Sequence, residues 1–279
     1  MSTPRSIFVR VLVAAIALIA AVAYAPKASG IVTADPMIAP LNGYVGAFNG
    51  SSCVAVGPFW VLTARHVSGN IGQYVWMRGV GYRVVEVVPH PLYDVELIRV
   101  AEELPGYHHL ASLVQLNDPC VLGGYGATAG ASLPSNTGFD WSGPHIETWG
   151  ENTIEGEGSL LAIRFDPPSS NLSVPHEAIF AVNDSGAGLF VWAGDGSLLL
   201  AGTAVSVTGW GNSQYGGAAF CLNVDLYRSW LLPIVDPSTP VSSAVQAPRS
   251  MLTIPGLPAW ASGLLLCTGL VSTRRRRAV

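Results

Sequence analysis

"AVNDSGAGLF", residues 181–190, sets an acid beside a serine among turn-forming residues, inside an otherwise apolar run. Asn183-Asp184-Ser185-Gly186 is good turn chemistry in its own right, because Asn, Asp and Gly each satisfy or relax a tight backbone. A serine hydroxyl in such a turn is a weak nucleophile until a base removes its proton. Whether Ser185 does chemistry therefore depends on what the rest of the chain can bring to it.

Working outward, short runs rich in Val, Ile, Leu and Thr recur between Gly- and Pro-containing turns. They are Val54–Ala64, Tyr74–Met77, Tyr82–Val88, Val95–Val100, Cys120–Leu122, Leu160–Phe165, Gly188–Trp192, Leu198–Val207 and Ala218–Val224. That spacing predicts an all-β barrel or sandwich. Only 11% of the 279 residues are charged, and Gly and Pro are frequent, which argues against a helical or disordered chain. One helix is expected near the end, where Asp225 can cap "LYRSWLLPIV" and Pro233 limits its length. The sequence shows no internal repeat.

Both ends differ from this middle. Arg5 and Arg10 precede an apolar stretch, Val11–Tyr24, and then small residues, the pattern of a secretory signal over residues 1–30. Cleavage after Ala28-Ser29-Gly30 would expose Ile31-Val32, whereas the earlier Ala23-Tyr24-Ala25 site is followed by Pro26. Residues 236–258 have the composition of a linker. Beyond it, residues 259–279 combine a short apolar segment with four arginines, Arg274–Arg277. Linker, apolar segment and arginines resemble the PEP-CTERM tails that bacterial exosortase systems recognise, although Pro-Gly-Leu-Pro stands in place of Pro-Glu-Pro; a plain membrane anchor is the alternative. The chain is therefore expected to be exported: periplasmic, secreted or at the cell surface, with a signal peptidase and an exosortase-like enzyme as processing partners.

Residues 31–250 hold 7 basic against 18 acidic residues, a balance of −11. An acidic domain lacks the basic footprint that nucleic acid requires. Neither C-x-x-C nor H-E-x-x-H occurs, so no metal or other cofactor is expected. Cys53, Cys120 and Cys221 could supply one disulfide, in a pairing the spacing leaves open. "GYGATA", 124–129, satisfies G-x-G-x-x-A, but the Gly-, Pro- and Ser-containing stretch after it is poor helix material, which argues against a nucleotide site. His108, His109, Trp141 and Trp149 read as loop and core residues.

Two further stretches give Ser185 its context. "FWVLTARHV", 59–67, places His66 at the end of a strand-like run, and "HPLYDVELIRV", 90–100, places Asp94 at the start of another. Histidine, aspartate and serine thus follow in that order, each at a strand boundary. The imidazole can take the serine proton, and the carboxylate can fix its tautomer and balance its developing charge.

"VLTARHV" resembles the Leu-Thr-Ala-Ala-His-Cys segment of chymotrypsin- and trypsin-like serine proteases, "DVELIRV" their Asp-Ile-Ala-Leu-Leu-Arg-Leu segment, and "NDSGAGLF" their Gly-Asp-Ser-Gly-Gly-Pro-Leu. Weaker likenesses are "CVLGGYG" at 120–126, "AGTAVSV" at 201–207 and "LYRSWL" at 226–231. The resemblance covers about residues 31–234. It implies a chymotrypsin-like double β-barrel with a C-terminal helix, its barrels at about 31–113 and 114–235. A monomeric endopeptidase acting on proteins or peptides would follow, with a triad of His66, Asp94 and Ser185. The amides of Asn183 and Ser185 would form the oxyanion hole.

Asn183 stands where the family has glycine, which asparagine can replace best if that position needs a positive φ. Val67 and Ala181 stand where the family has cysteines. The resemblance places Ile179 at the floor of the specificity pocket, Ser206 on the strand that pairs with substrate, and Thr208 at the pocket entrance; together they imply small or apolar P1 residues. It also pairs a freed Ile31 terminus with Asp184, with Arg164 as the other candidate partner. A non-catalytic homologue that binds a peptide without cutting it is the competing function.

Overall fold

The computed structural model describes residues 30–235. The expected linker and apolar tail lie outside them, as does all of the expected signal segment except Gly30. Strand β1, Val32–Thr33, lies apart from a first half made of β2 (Val45–Phe48), β3 (Ser51–Gly57), β4 (Trp60–Thr63), β5 (Tyr74–Met77), β6 (Val80–Pro89) and β7 (Glu96–Val100). These six close into an antiparallel barrel in the order β2-β3-β4-β7-β6-β5. The single apolar run expected at Val54–Ala64 is two strands, because Gly57-Pro58-Phe59 turns the chain between β3 and β4.

The second half contains β8 (Pro119–Gly124), β9 (Gly138–Asp140), β10 (Thr148–Thr153), β11 (Leu160–Arg164), β12 (Ala178–Ile179), β13 (Gly188–Trp192), β14 (Leu198–Val207), β15 (Asn212–Gln214) and β16 (Ala218–Asn223). Six of them form one antiparallel sheet in the order β10-β8-β13-β14-β16-β11, while β9 pairs with β15 and β1 pairs with β12. β10 was not evident as a strand from its sequence, "TWGENT". Polar Glu151, Asn152 and Thr153 break the apolar pattern, yet Asn152 is buried because its amide donates to Arg164 O, Glu177 Oε1 and Ala178 O.

Side-chain alternation explains how the halves join. Along β3, Cys53 and Ala55 point into the first barrel, while Val54 and Val56 enter a second cluster. Along β8, Cys120 and Leu122 fill the interior of the second sheet and Val121 faces that same shared cluster. Strands buried on both faces read as continuous apolar runs. The shared cluster draws Leu62 and Leu97 from one half and Trp149, Phe190 and Leu200 from the other. Helix α1, Arg228–Val235, closes it with Leu231 and Val235, and Val235 packs against Gly57 of β3.

The helix begins later than its sequence suggested. Asn223, not Asp225, makes the cap: its side chain accepts the Asp225 N–H and starts a short 3-10 turn, and Asp225 pairs instead with Arg228 at 3.5 Å. Cys53, Cys120 and Cys221 are all buried free thiols, and burial pushes each thiol pKa up. Among the described residues no helix is long and apolar enough to cross a membrane, and no group of three His, Cys, Asp or Glu could hold a metal.

Leu231 is fully buried in the shared cluster. Leu231→Ala is expected to cost about 2–5 kcal/mol, through lost apolar burial and a residual cavity, seen as a lower midpoint in thermal or urea unfolding.

Candidate active site

His66 lies in a 3-10 turn, Arg65–Val67, immediately after β4. Asp94 lies in the segment leading into β7. That segment is shaped by His90, whose Nδ1 accepts the N–H groups of Leu92 and Tyr93 at 3.1 and 3.0 Å. Its ring sits edge-on to Trp230 of α1 at 4.8 Å, and burial lowers its pKa, so the neutral form that can accept is favoured. The C-terminal helix therefore braces the approach to Asp94 through His90, a role the sequence reading left unassigned.

Ser185 lies in a turn between β12 and β13, in the other half of the fold from His66. Its carbonyl accepts the Ser52 N–H at 3.1 Å, and the next amide, Gly186 N–H, donates to Ala204 O at 2.8 Å. Gly186 has φ +87°, and a Cβ there would overlap Ser52 O and Thr63 Oγ1 of the first barrel. Only glycine lets the turn approach that closely.

The three side chains meet in one line. His66 Nε2 is 2.6 Å from Ser185 Oγ, and His66 Nδ1 is 2.6 Å from Asp94 Oδ2. The other Asp94 oxygen accepts the His66 backbone N–H at 2.9 Å, so one carboxylate fixes both ring and main chain. That arrangement favours a proton on Nδ1 and leaves Nε2 free to accept from the serine. The His66 pKa is raised, first by the Asp94 hydrogen bond, against the opposing effect of burial.

Asn183 has φ +67°, in the left-handed region that asparagine tolerates better than most residues. Among the described residues neither the Asn183 nor the Ser185 N–H donates to a protein acceptor. Asp184 is buried beneath them. Its Oδ2 accepts Ala181 N–H at 2.8 Å, its Oδ1 accepts Gly126 N–H at 2.6 Å, and Ser52 also hydrogen-bonds to it. A Cβ at Gly126 would overlap the carboxyl group, so the second glycine of "GYGATA" makes room for Asp184, and no helix follows it. Burial drives the Asp184 pKa well up. Arg164, the other candidate partner for Asp184, pairs with Glu155 at 3.1 Å. Ile31 is buried in the same core cluster as Ala181 and Ala187, on either side of Asp184.

Beside Ser185 a cavity of about 470 Å³ is lined by Phe180, Ala181, Val182, Val205, Ser206 and Val207, among others. Ser206 is thus at the cavity, whereas Ile179 and Thr208 are not among its lining residues. Ile179 pairs with Val32 in the core, leaving its neighbour Phe180 at the cavity. Thr208 Oγ1 is occupied by the Ala218 backbone, accepting its N–H at 2.7 Å and donating to its carbonyl at 3.1 Å.

No family model and no curated protein matches the chain. Among solved structures it is similar to neuropsin, a serine protease expressed in the limbic system of mouse brain. The TM-score is 0.54 at 18% identity, over 74% of this chain and 100% of that one. The likeness is one of fold: a closed six-stranded barrel, a second barrel-like sheet and one short helix make the chymotrypsin-like double barrel.

Ser52 escaped the sequence reading, since "SSC" at the start of β3 carries no signal. Fully buried, it donates its backbone N–H to Ser185 O and accepts Tyr125 N–H on Oγ at 2.8 Å, besides bonding to Asp184. Ser52→Ala strands the partly buried Tyr125 amide and removes one Asp184 interaction. It is expected to destabilise the fold by about 1–3 kcal/mol in chemical denaturation, without changing the strand content measured by circular dichroism.

Proposed function

We propose that the chain is an exported serine endopeptidase. The observation that carries this reading is the Asp94–His66–Ser185 line, with two 2.6 Å contacts ending beside a cavity of mixed polar and apolar lining and two unengaged amides. His66 accepts the Ser185 proton as Oγ attacks the scissile carbonyl, Asp94 holds the imidazolium that forms, and His66 then protonates the leaving amine. The Asn183 and Ser185 amides face the oxygen that becomes negative, so charge is stabilised where it develops. Water completes the cycle by hydrolysing the acyl-enzyme. Export is supported by residues 1–30, where basic residues precede the Val11–Tyr24 apolar stretch.

The cavity is apolar on the Phe180, Val205 and Val207 sides, and supports small or apolar P1 residues. A buried cationic side chain without a counter-charge is costly. A peptide library is expected to show cleavage after Ala, Val or Leu and none after Lys or Arg, and Phe180→Ala to shift preference toward larger P1 side chains. Ser185→Ala should lower kcat by about 10⁵–10⁶-fold. A folded parent that hydrolyses no peptide, and keeps that behaviour as Asn183→Gly, contradicts the reading and favours a peptide-binding module.

The pH profile follows from His66. The Asp94 bond raises its pKa above the ordinary 6.5, and only the neutral ring can take the serine proton. kcat/KM is therefore expected to fall as pH drops through a value above 6.5, and Asp94→Asn to move that limb downward.

Activation by export is part of this proposal. A freed Ile31 ammonium would supply the cation that the desolvated Asp184 carboxylate lacks among the ion pairs of the described residues. Protein beginning at Ile31 should be more active than protein retaining residues 1–30, measured with the same peptide. Equal activity of the two contradicts this step alone.

A further inference from the structure

The turn around His66 is closed by two backbone bonds of its own, Val67 N–H to Ala64 O at 3.0 Å and Ser68 N–H to Arg65 O at 3.2 Å. Val67, Ser68 and Gly69 belong to no sheet, and Ser68 has φ +57°. Two residues from other elements grip it. On one side, Asn49 Nδ2 donates to Val67 O and Ser68 O at 2.7 and 3.1 Å, at the β2–β3 turn. On the other, Gly69 N–H donates to Glu96 Oε1 at 3.1 Å.

Glu96 is the first residue of β7, two positions after Asp94, and only 4% exposed. A glutamate is almost never so buried without a reason. Its register partners are Thr63 on β4 and Pro89 on β6, and neither titrates. The charged or titratable groups that face it are Arg65 and His66 from the turn and Asp94 from the approach to its own strand. The Arg65 guanidinium donates to His90 O at 3.0 Å. Elsewhere on β6 and β7, Glu86 and Arg99 pair with each other at 3.7 Å and are half exposed.

We propose that Glu96 is a positioning residue for His66: its buried carboxylate ties down the turn through Gly69 and sets a second negative charge behind the imidazole. The proposal rests on the reading of His66 as the base and adds a residue to it. Asp94 holds the ring directly; Glu96 holds the main chain three residues further on and acts on the imidazolium through space. No bond to the ring is involved, so the two carboxylates differ in role. Burial pushes the Glu96 pKa up, and the Gly69 hydrogen bond and then the Arg65 charge oppose that rise, which favours the ionised form.

Two variants separate the parts of this role. Glu96→Gln keeps an oxygen that can accept from Gly69 and removes the charge, whereas Glu96→Ala removes both. The full chain is used in a Ser185→Ala background, with the His66 ring followed by NMR titration, so the reading does not depend on any peptidase activity. Glu96→Gln is expected to lower the His66 pKa by ~0.5 unit, a roughly threefold change in its protonation equilibrium. With Ser185 restored, the acidic limb of kcat/KM should move down by the same amount while KM stays within about twofold. Glu96→Ala should add a loss of Gly69 amide protection in hydrogen exchange, which Glu96→Gln preserves. An unchanged His66 titration in a folded Glu96→Gln protein overturns the proposal. If the parent cuts no peptide, the endopeptidase reading fails while the titration still decides the role of Glu96.

Discussion

The structure depends on a shared apolar cluster between its two halves and on the polar contacts that cross beside it. His66 and Ser185 come from different halves, so the distance between them is set by how firmly the halves are joined. Burial of Leu62, Leu97, Trp149, Phe190 and Leu231 in one cluster supplies the attraction, which is non-directional. Direction comes from Ser52. Its amide grips the carbonyl of Ser185, while its hydroxyl meets both Tyr125 N–H and Asp184. The glycine at 186 lets the serine turn sit against β3 and Thr63, and that contact brings Ser185 Oγ within 2.6 Å of His66.

Three acids, two of them buried, divide the electrostatic work around this seam. Asp94 accepts from the ring and main chain of His66, and its side chain remains about two-fifths exposed. Asp184 is wholly buried and shapes the turn that presents the Asn183 and Ser185 amides. Glu96 lies behind the histidine turn and contacts neither the serine nor the ring. Their surroundings, rather than their chemistry, set them apart: each carboxylate is satisfied by a different mix of amides, hydroxyl and imidazole. The His90 ring, whose burial favours the neutral form, adds the link to helix α1 through Trp230.

Much of this was legible in the chain. The all-β class followed from short apolar runs between turns, and most of those runs are strands. His66, Asp94 and Ser185 stood out because each sits at a strand boundary in an order with a chemical rationale. Other features were hidden for physical reasons. β10 is polar because Asn152 satisfies three carbonyl or carboxylate oxygens from inside the fold, which no periodicity can announce. Thr208 turns its hydroxyl onto the Ala218 backbone, so Val207 lines the cavity and Thr208 does not. Ile179 turned into the core to pair with β1, and its neighbour Phe180 took the place beside the cavity. Ser52 and Glu96 act through contacts with residues distant in sequence, and a single serine or glutamate in a strand gives no sign of them.

The central claim is that His66 and Asp94 make Ser185 a nucleophile. The most direct measurement is the intact mass of the protein after treatment with a fluorophosphonate, made in parallel on Ser185→Ala and His66→Ala. The account predicts one adduct on the parent, located at Ser185, and none on either variant. A folded parent that begins at Ile31 and takes up no adduct, or a His66→Ala variant labelled as fast as the parent, would contradict it.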